Sequence, residues 1–269
     1  MGSTGDKPWL RPAQSDDCPV PPKERDWIEK RLWWCAQQFG RDTVRREPAL
    51  PSGDLIPAGF GPDRAKVLEL HSRICRVMGA APNCAEIELF RGKSTAERDR
   101  ELRSSTRSGS KYEVGHYRMS GGRGVIDLDL AEADDPLAFA AVDAHEIAHA
   151  RLLGERRASS QDADHEKLTD LATVYLGMGI FNANASYRFK RSVHGWSALP
   201  MGDLTDRMLT GSRLEPTRRL GYLSEREFGF ALAGYCLLRE ERRPVWAAEV
   251  APAVRSTLLQ GLRWYARRR

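Results

Sequence analysis

The sequence predicts an α+β fold that is mostly helical, with a small sheet preceding one central helix. Apolar residues recur every three or four positions along much of the 269-residue chain, as on one face of a helix. Alternation of apolar and acidic residues, typical of a strand with one buried face, occurs in VIDLDL at 125–130. We expect a single domain over 23–269, preceded by a Pro-rich disordered leader at 1–22.

The first half of the chain predicts two helices and the sheet. Residues 23–39 and 63–78 have helical apolar spacing, and a glycine follows each segment. Between them, 41–62 contains four prolines and is expected to be a loop. Residues 91–110, rich in Arg, Ser, Thr and Glu, are expected to form a mobile excursion between strands. The predicted strands are 86–90, 112–119 and 125–130.

The second half predicts helices almost throughout. The central helix has a clear start, with Asp135 at the N-cap and Pro136 in the first helical position, and it ends at Gly154. A polar link at 155–163 leads to another helix at 165–178. A loop is expected beyond it, and the last two predicted helices are 225–241 and 244–265.

Composition and charge narrow the classes of protein that the chain could belong to. Hydrophobic residues make up 41% and charged residues 29%, as in an ordinary globular protein. No apolar run approaches the roughly 18 residues that a membrane-spanning helix needs. The net charge of +5 comes from arginine clusters that are dispersed among acids, and no nucleic-acid motif accompanies them. We therefore expect a protein that has no membrane partner and is unlikely to bind nucleic acid.

The cysteines and the N-terminus predict a cytoplasmic protein. The first residues contain no apolar segment of the kind that secretory signals carry. The five cysteines have no CxxC spacing, which argues against a zinc ribbon or a disulfide framework and predicts reduced thiols. Cys35, Cys75 and Cys236 lie in apolar helical stretches and are expected to be small core residues.

The central helix contains an HExxH motif, His145-Glu146-Ile147-Ala148-His149. Residues four apart on a helix share one face, so both imidazoles can converge on one zinc ion at about 2.0–2.1 Å. Glu146 lies beside the metal-facing edge, where it can act on water as a general base. The alternative is a surface helix with two solvated histidines, but the small residues around the motif favour an accessible metal site.

The next helix offers the third metal ligand. Glu166 and Asp170 are four residues apart and share a face, and the sixteen-residue separation from His149 leaves room for a turn between two helices. Glu166 is the favoured ligand, with Asp170 accepting a hydrogen bond from the far ring nitrogen of His145. Asp170 and His165 remain alternative ligands, the latter giving a three-histidine site.

HExxH followed by ExxxD on the next helix resembles the gluzincin metallopeptidases. EKLTDLATVYL at 166–176 also looks like the corresponding helix of the IrrE/ImmA-type regulatory peptidases, with Glu166, Asp170 and Ala172 at matching positions. From about residue 50 the chain is similar to a family of uncharacterised bacterial HExxH proteins. The resemblance implies a zincin-like domain with Zn²⁺ as cofactor, Glu166 as ligand and Asp170 as the support of His145.

The resemblance also implies residues that act on substrate. Gluzincins use a downstream His or Tyr to stabilise the developing oxyanion, and His194 and Tyr222 are the candidates here, ahead of Tyr175 and Tyr187. In zincins an edge strand before the motif helix pairs with an extended peptide, so 125–130 could bind substrate in this way. Its acidic residues could equally point to water on the exposed face of the sheet.

Three functional hypotheses follow. The first is a zinc metallopeptidase that cleaves a peptide or protein, with Glu146 as general base. The second is a non-haem Fe(II) peptide-modifying oxygenase, since two histidines and a carboxylate also form a facial triad. Glu146 favours hydrolysis because a facial triad needs no base at that position. The third is a regulatory or non-catalytic zinc protein, as the likeness to IrrE/ImmA-type proteins suggests.

Overall fold

The computed structural model describes residues 18–91, 115–193 and 222–268. These residues form seven α-helices and a three-stranded mixed sheet, which confirms the prediction of a mostly helical α+β fold. The helices are α1 (Pro22–Phe39), α2 (Arg64–Met78), α3 (Pro136–His149), α4 (His165–Tyr175), α5 (Gly179–Val193), α6 (Glu225–Leu238) and α7 (Pro252–Ala266). The strands are β1 (Glu86–Phe90), β2 (Gly115–Ser120) and β3 (Arg123–Asp129).

The motif helix α3 is at the centre of the molecule. It packs against α2, α4, α5 and β2, while α6 packs against α7 and α1 contacts both α4 and α6. Buried apolar side chains from all seven helices and the sheet form one core. Cys35, Cys75 and Cys236 are buried in it, as predicted. Among the described helices, none is long and apolar enough to span a bilayer.

The sheet places β3 between the other two strands. β3 pairs parallel with β1 and antiparallel with β2. Gly121 and Gly122 form the β2–β3 turn, with φ of 55° and 80°, because a tight hairpin turn of this type needs positive φ at both residues. The expectation that 125–130 is an edge strand is therefore wrong, and in the described part of the sheet the edge nearest the motif helix is β2.

The acidic residues of β3 do not both face water. Asp129 is only 2% exposed, and its side chain accepts a hydrogen bond from the Ala131 backbone N–H. Asp127 is paired with Arg118 of β2, at 2.8 Å between Oδ2 and Nε. Apolar–acidic alternation alone does not separate a solvated carboxylate from one that caps a turn or pairs across strands.

The helical structure differs from the prediction in three places. The motif helix is α-helical only to His149 and continues as a π-helical turn, Ala150–Gly154. The next helix ends at Tyr175 because Gly177, with φ of 95°, turns the chain into a helix, α5, where a loop was expected. The helix predicted at 244–265 is divided into a 3-10 turn at Val245–Glu249 and α7, which starts at Pro252.

Several predictions fall outside the described residues. These are the leader up to residue 17, the excursion at 92–110 and the first residues of the strand predicted at 112–119. The region around His194 also lies there.

Candidate metal centre

Local capping and packing fix the two helices that carry the site. The Asp135 side chain accepts a hydrogen bond from the Ala138 N–H at the start of α3, as the predicted N-cap requires. Asn182 of α5 donates to the carbonyl of Ala141 at 3.0 Å. Asp164, directly before α4, accepts hydrogen bonds from two α1 side chains, Trp27 Nε1 and Arg31, and so holds the first turn of α4 in place.

The structure brings His145, His149 and Glu166 together. One potential ligand atom from each lies within 4.8 Å of the other two. Glu166 Oε2 is 3.1 Å from His145 Nε2 and 3.4 Å from His149 Nε2. Ligand atoms about 2.05 Å from a tetrahedral zinc are about 3.3 Å apart, so the two distances from Glu166 and the donor set fit this ion.

Asp170 holds His145 from the opposite side of its ring. His145 Nδ1 lies 3.0 Å from Asp170 Oδ1, and the second carboxylate oxygen accepts the Leu223 backbone N–H at 2.9 Å. Asp170 is 5% exposed. A carboxylate at Nδ1 fixes that nitrogen as a donor and leaves the Nε2 lone pair for a metal. This position is that of a supporting residue, because Asp170 faces the ring nitrogen that points away from Glu166.

Thr169 plays the same part for His149, and sequence reasoning missed it. Its hydroxyl donates to the His165 carbonyl at 2.8 Å, so its oxygen is an acceptor toward His149 Nδ1 at 3.3 Å. The Nε2 lone pair of His149 is thereby left for a metal. A signal was present, since Thr169 is three residues after Glu166 on the same helical face.

His165 lies beside the cluster without belonging to it. Its Nδ1 is 2.9 Å from the Asp162 carbonyl oxygen, and its Nε2 is 3.2 Å from Glu166 Oε1. Among the described residues, the group with metal-ligand spacing contains Glu166 and not His165. His165 therefore faces the oxygen of Glu166 that points away from His145 and His149.

Glu146 is buried at the junction of the motif helix and β2. It is 6% exposed and accepts a hydrogen bond from the Tyr117 backbone N–H. Its pKa is raised from 4.5 to about 7, chiefly by burial; the positive charge of His145 opposes this shift and the nearby Glu166 carboxylate adds to it. A carboxyl group with a pKa close to neutral can both accept and return a proton.

A glycine allows β2 to approach Glu146 this closely. A Cβ built on Gly115 would lie 2.6 Å from Val142 Cγ1 and 3.1 Å from Glu146 Cγ. Any larger residue at this position would push the strand away from the motif helix. Gly115 was not singled out in the sequence, because the contact joins segments 31 residues apart.

Tyr117 covers the face of His149. The two rings are nearly parallel, with centroids 6.3 Å apart and planes inclined by 14°. Its hydroxyl end occupies space that two glycines leave open, because a Cβ on Gly124 or Gly154 would lie 2.7 Å from the oxygen. The π-helical turn after His149 contains one of these glycines, so this turn contributes directly to the packing around His149.

The electrostatics of the cluster favour a cation. Hydrogen bonds to Asp170 and Glu166 raise the pKa of His145 to about 10, although burial alone would lower it. The same contacts to His145 and His149 lower the pKa of Glu166 against its burial. Burial lowers the pKa of His149. A metal at this position would replace the proton on His145, so metal binding is expected to release protons.

Of the oxyanion candidates, Tyr222 lies beside the cluster. Its ring centroid is 5.6 Å from that of His145, and the side chain is half-exposed. Partial burial and the surrounding carboxylates of Glu166 and Asp170 raise its pKa, so the phenol stays protonated and can donate a hydrogen bond. Tyr175 is fully buried and donates to the Gly40 carbonyl at 2.8 Å, which is a packing role.

His194 and the side chain of Tyr187 lie outside the described residues. The chain matches no model of a known protein family, no curated protein and no solved structure, so the functional proposal rests on the geometry of this site.

Proposed function

We propose that this chain is a zinc-dependent hydrolase, most specifically a metallopeptidase, in which His145, His149 and Glu166 hold Zn²⁺. The observation that carries the proposal is the convergence of two Nε2 atoms on one Glu166 oxygen, at 3.1 and 3.4 Å. Hydrogen-bond acceptors on α4 lie at the Nδ1 atoms of both histidines, Asp170 at His145 and Thr169 at His149. Acceptors at Nδ1 orient the Nε2 atoms toward a metal, as metal sites require, and two solvated histidines on a surface helix would not have such acceptors.

Glu146 is the proposed general base. A bound zinc ion would supply Lewis-acid polarisation of the scissile carbonyl and would acidify water. Glu146 would accept the proton of the attacking water and return it to the leaving amine, a task suited to its raised pKa. Tyr222 would donate a hydrogen bond to the developing negative oxygen, and His194 remains the alternative donor proposed from the sequence.

The strand β2 supports a peptide or protein as the substrate. It is at one edge of the described sheet, and its Tyr117 N–H donates a hydrogen bond to Glu146. An extended peptide that paired with this edge would run past the general base. The proposal thus moves the substrate strand from 125–130, which is central, to 115–120.

A cytoplasmic location is also proposed, and it is supported by five cysteines that form no disulfide in the described residues.

Metal analysis of the wild type and of three variants tests the site. One zinc per chain is expected in the wild type and in His165→Ala, and loss of zinc in His145→Ala and Glu166→Ala. His165→Ala is the matched control, because it removes a neighbouring imidazole that does not belong to the cluster. Iron in place of zinc would support the Fe(II) oxygenase alternative, and a wild type that takes up no metal on reconstitution would refute the site.

A cleavage screen then tests the reaction. Zinc-loaded wild type is incubated with a peptide library, and Glu146→Gln is run beside it. We expect Glu146→Gln to keep its zinc and to lose turnover by about 10²-fold or more, as removal of a general base does. A variant with unimpaired turnover would refute the mechanism. Zinc binding without cleavage by the wild type would favour the regulatory, non-catalytic alternative.

A further inference from the structure

A second cluster of reactive side chains lies where the end of α2 meets the loop before β1. It is separate from the group of His145, His149 and Glu166, called the HExxH cluster below. Cys75 in the last turn of α2 places its Sγ 3.3 Å from His71 Nε2. His71 Nδ1 in turn lies 2.8 Å from Asp143 Oδ1 on the motif helix. His71 and Asp143 are 3% and 0% exposed, and Cys75 is also 0% exposed, so all three side chains are buried.

After α2 the chain reverses direction, and this brings a second cysteine, Cys84, close to Cys75. Gly79, with φ of 62°, ends α2 in the left-handed region, and the Ala80 N–H donates to the Cys75 carbonyl at 2.8 Å. The loop then brings the Cys84 thiol into hydrogen-bonding contact with the Cys75 thiol. Cys84 is partly exposed, whereas Cys75 is fully buried.

The two thiols are therefore unequal. The hydrogen bond from Cys75 lowers the pKa of Cys84 against its burial, and the positive charge of His71 lowers it further. The positive charge of Arg151 also lowers the pKa of Cys84, whereas the negative charge of Asp143 raises it. The contact with Cys84 and burial raise the pKa of Cys75. Thiolate character on the accessible sulfur, with a second thiol in contact, is the arrangement of a reactive cysteine and its resolving partner.

We propose that Cys84 and Cys75 form a reversible redox site, in which a hydroperoxide oxidises Cys84 and Cys75 resolves the product as a disulfide. The Cys84 thiolate attacks one peroxide oxygen, and the O–O bond breaks. This yields a sulfenic acid and, for hydrogen peroxide, a hydroxide that is protonated to water. The Cys75 sulfur then attacks the sulfenic sulfur, its proton leaves with the hydroxyl group as water, and the S–S bond forms.

An external dithiol reverses the oxidation by thiol–disulfide exchange. The site does not depend on the proposed zinc chemistry, since none of its residues belongs to the HExxH cluster.

The sequence provides a direct readout by peptide mapping. Trypsin cleavage at Arg73, Arg76 and Arg91 separates the two cysteines into the peptides 74–76 and 77–91. After treatment of the full-length protein with hydrogen peroxide and digestion without reductant, we expect these two peptides joined by a disulfide. Dithiothreitol should restore both free thiols.

Cys18 is the internal control, because it is also partly exposed, but burial raises its pKa. We expect Cys84 to be oxidised at least about tenfold faster than Cys18, since the thiolate is the reacting form. In Cys75→Ser, the sulfenic acid of Cys84 should persist and be trapped by dimedone, without the linked peptide. In Cys18→Ser, the linked peptide should form as in the wild type.

Two results would overturn the proposal. One is equal oxidation of Cys84 and Cys18 with no linked peptide in the wild type. The other is a second zinc equivalent that protects both thiols from peroxide and is lost in Cys84→Ser, which would make the pair metal ligands.

Discussion

Replacing Thr169 by valine should weaken zinc binding without removing any of the three proposed ligands. Valine keeps the shape of the side chain but loses the oxygen that lies 3.3 Å from His149 Nδ1. Residues that orient ligating histidines typically change metal affinity by about 10- to 100-fold. Because 3.3 Å is long for an N–H···O hydrogen bond, we expect the lower end, about tenfold, or about 1.4 kcal/mol.

The matched control is Thr173→Val, one turn later on the same helix. Thr173 is also buried, and its hydroxyl donates to a backbone carbonyl, that of Asp170, at 2.7 Å. Both variants therefore lose one side-chain hydrogen bond to the backbone and should lose about 1 kcal/mol of unfolding free energy each. Only Thr169→Val loses a contact with a proposed ligand.

Zinc affinity is measured by competition with a chromophoric chelator, and stability by urea unfolding of the metal-free proteins. Thr169→Val should raise the Kd for zinc about tenfold over wild type, and Thr173→Val should leave it unchanged. Equal Kd values for the two variants would show that Thr169 does not orient His149 and would refute the reasoning from the 3.3 Å contact.

Three further predictions concern the strand, the phenol and the metal. Gly115→Ala should cost about 1–3 kcal/mol of unfolding free energy through overpacking against α3. Gly61→Ala, with no atom within 4 Å of the new Cβ, should stay within about 0.5 kcal/mol in the same urea titration. Tyr222→Phe should lower turnover about tenfold or more at unchanged zinc content. Tyr175→Phe should leave turnover per bound zinc unchanged while lowering stability by about 1 kcal/mol. Chelation should lower Tm, because zinc at 100 times its Kd stabilises the folded state by about 2.7 kcal/mol; an unchanged Tm would argue against a metal that joins α3 to α4.

Local signals in the sequence predicted six of the seven described helices and all three strands, but not α5, where a loop was expected. Asp135 and Pro136 predicted the start of α3, and the alternation in VIDLDL predicted β3. Local signals were weaker at helix ends. The π-helical turn after His149 and the break at Gly177 depend on packing with other segments, which periodicity does not report.

The grouping of His145, His149 and Glu166 was predictable because the helical repeat places the two histidines on one face, the chain between the two helices is long enough for a turn, and HExxH followed by ExxxD resembles the gluzincin pattern. Asp170 was predicted as the support of His145 on the same ground, and the structure places it at Nδ1. The sequence by itself therefore determined the fold class and the residues that could form the cluster.

Only the tertiary structure decided what surrounds those residues. The central position of β3, the approach of Gly115 to Glu146 and the stacking of Tyr117 on His149 all join segments distant in the chain. The same holds for His71 and Asp143, which are 72 residues apart. Such contacts depend on how whole elements pack, and a single sequence carries no local periodicity that encodes them.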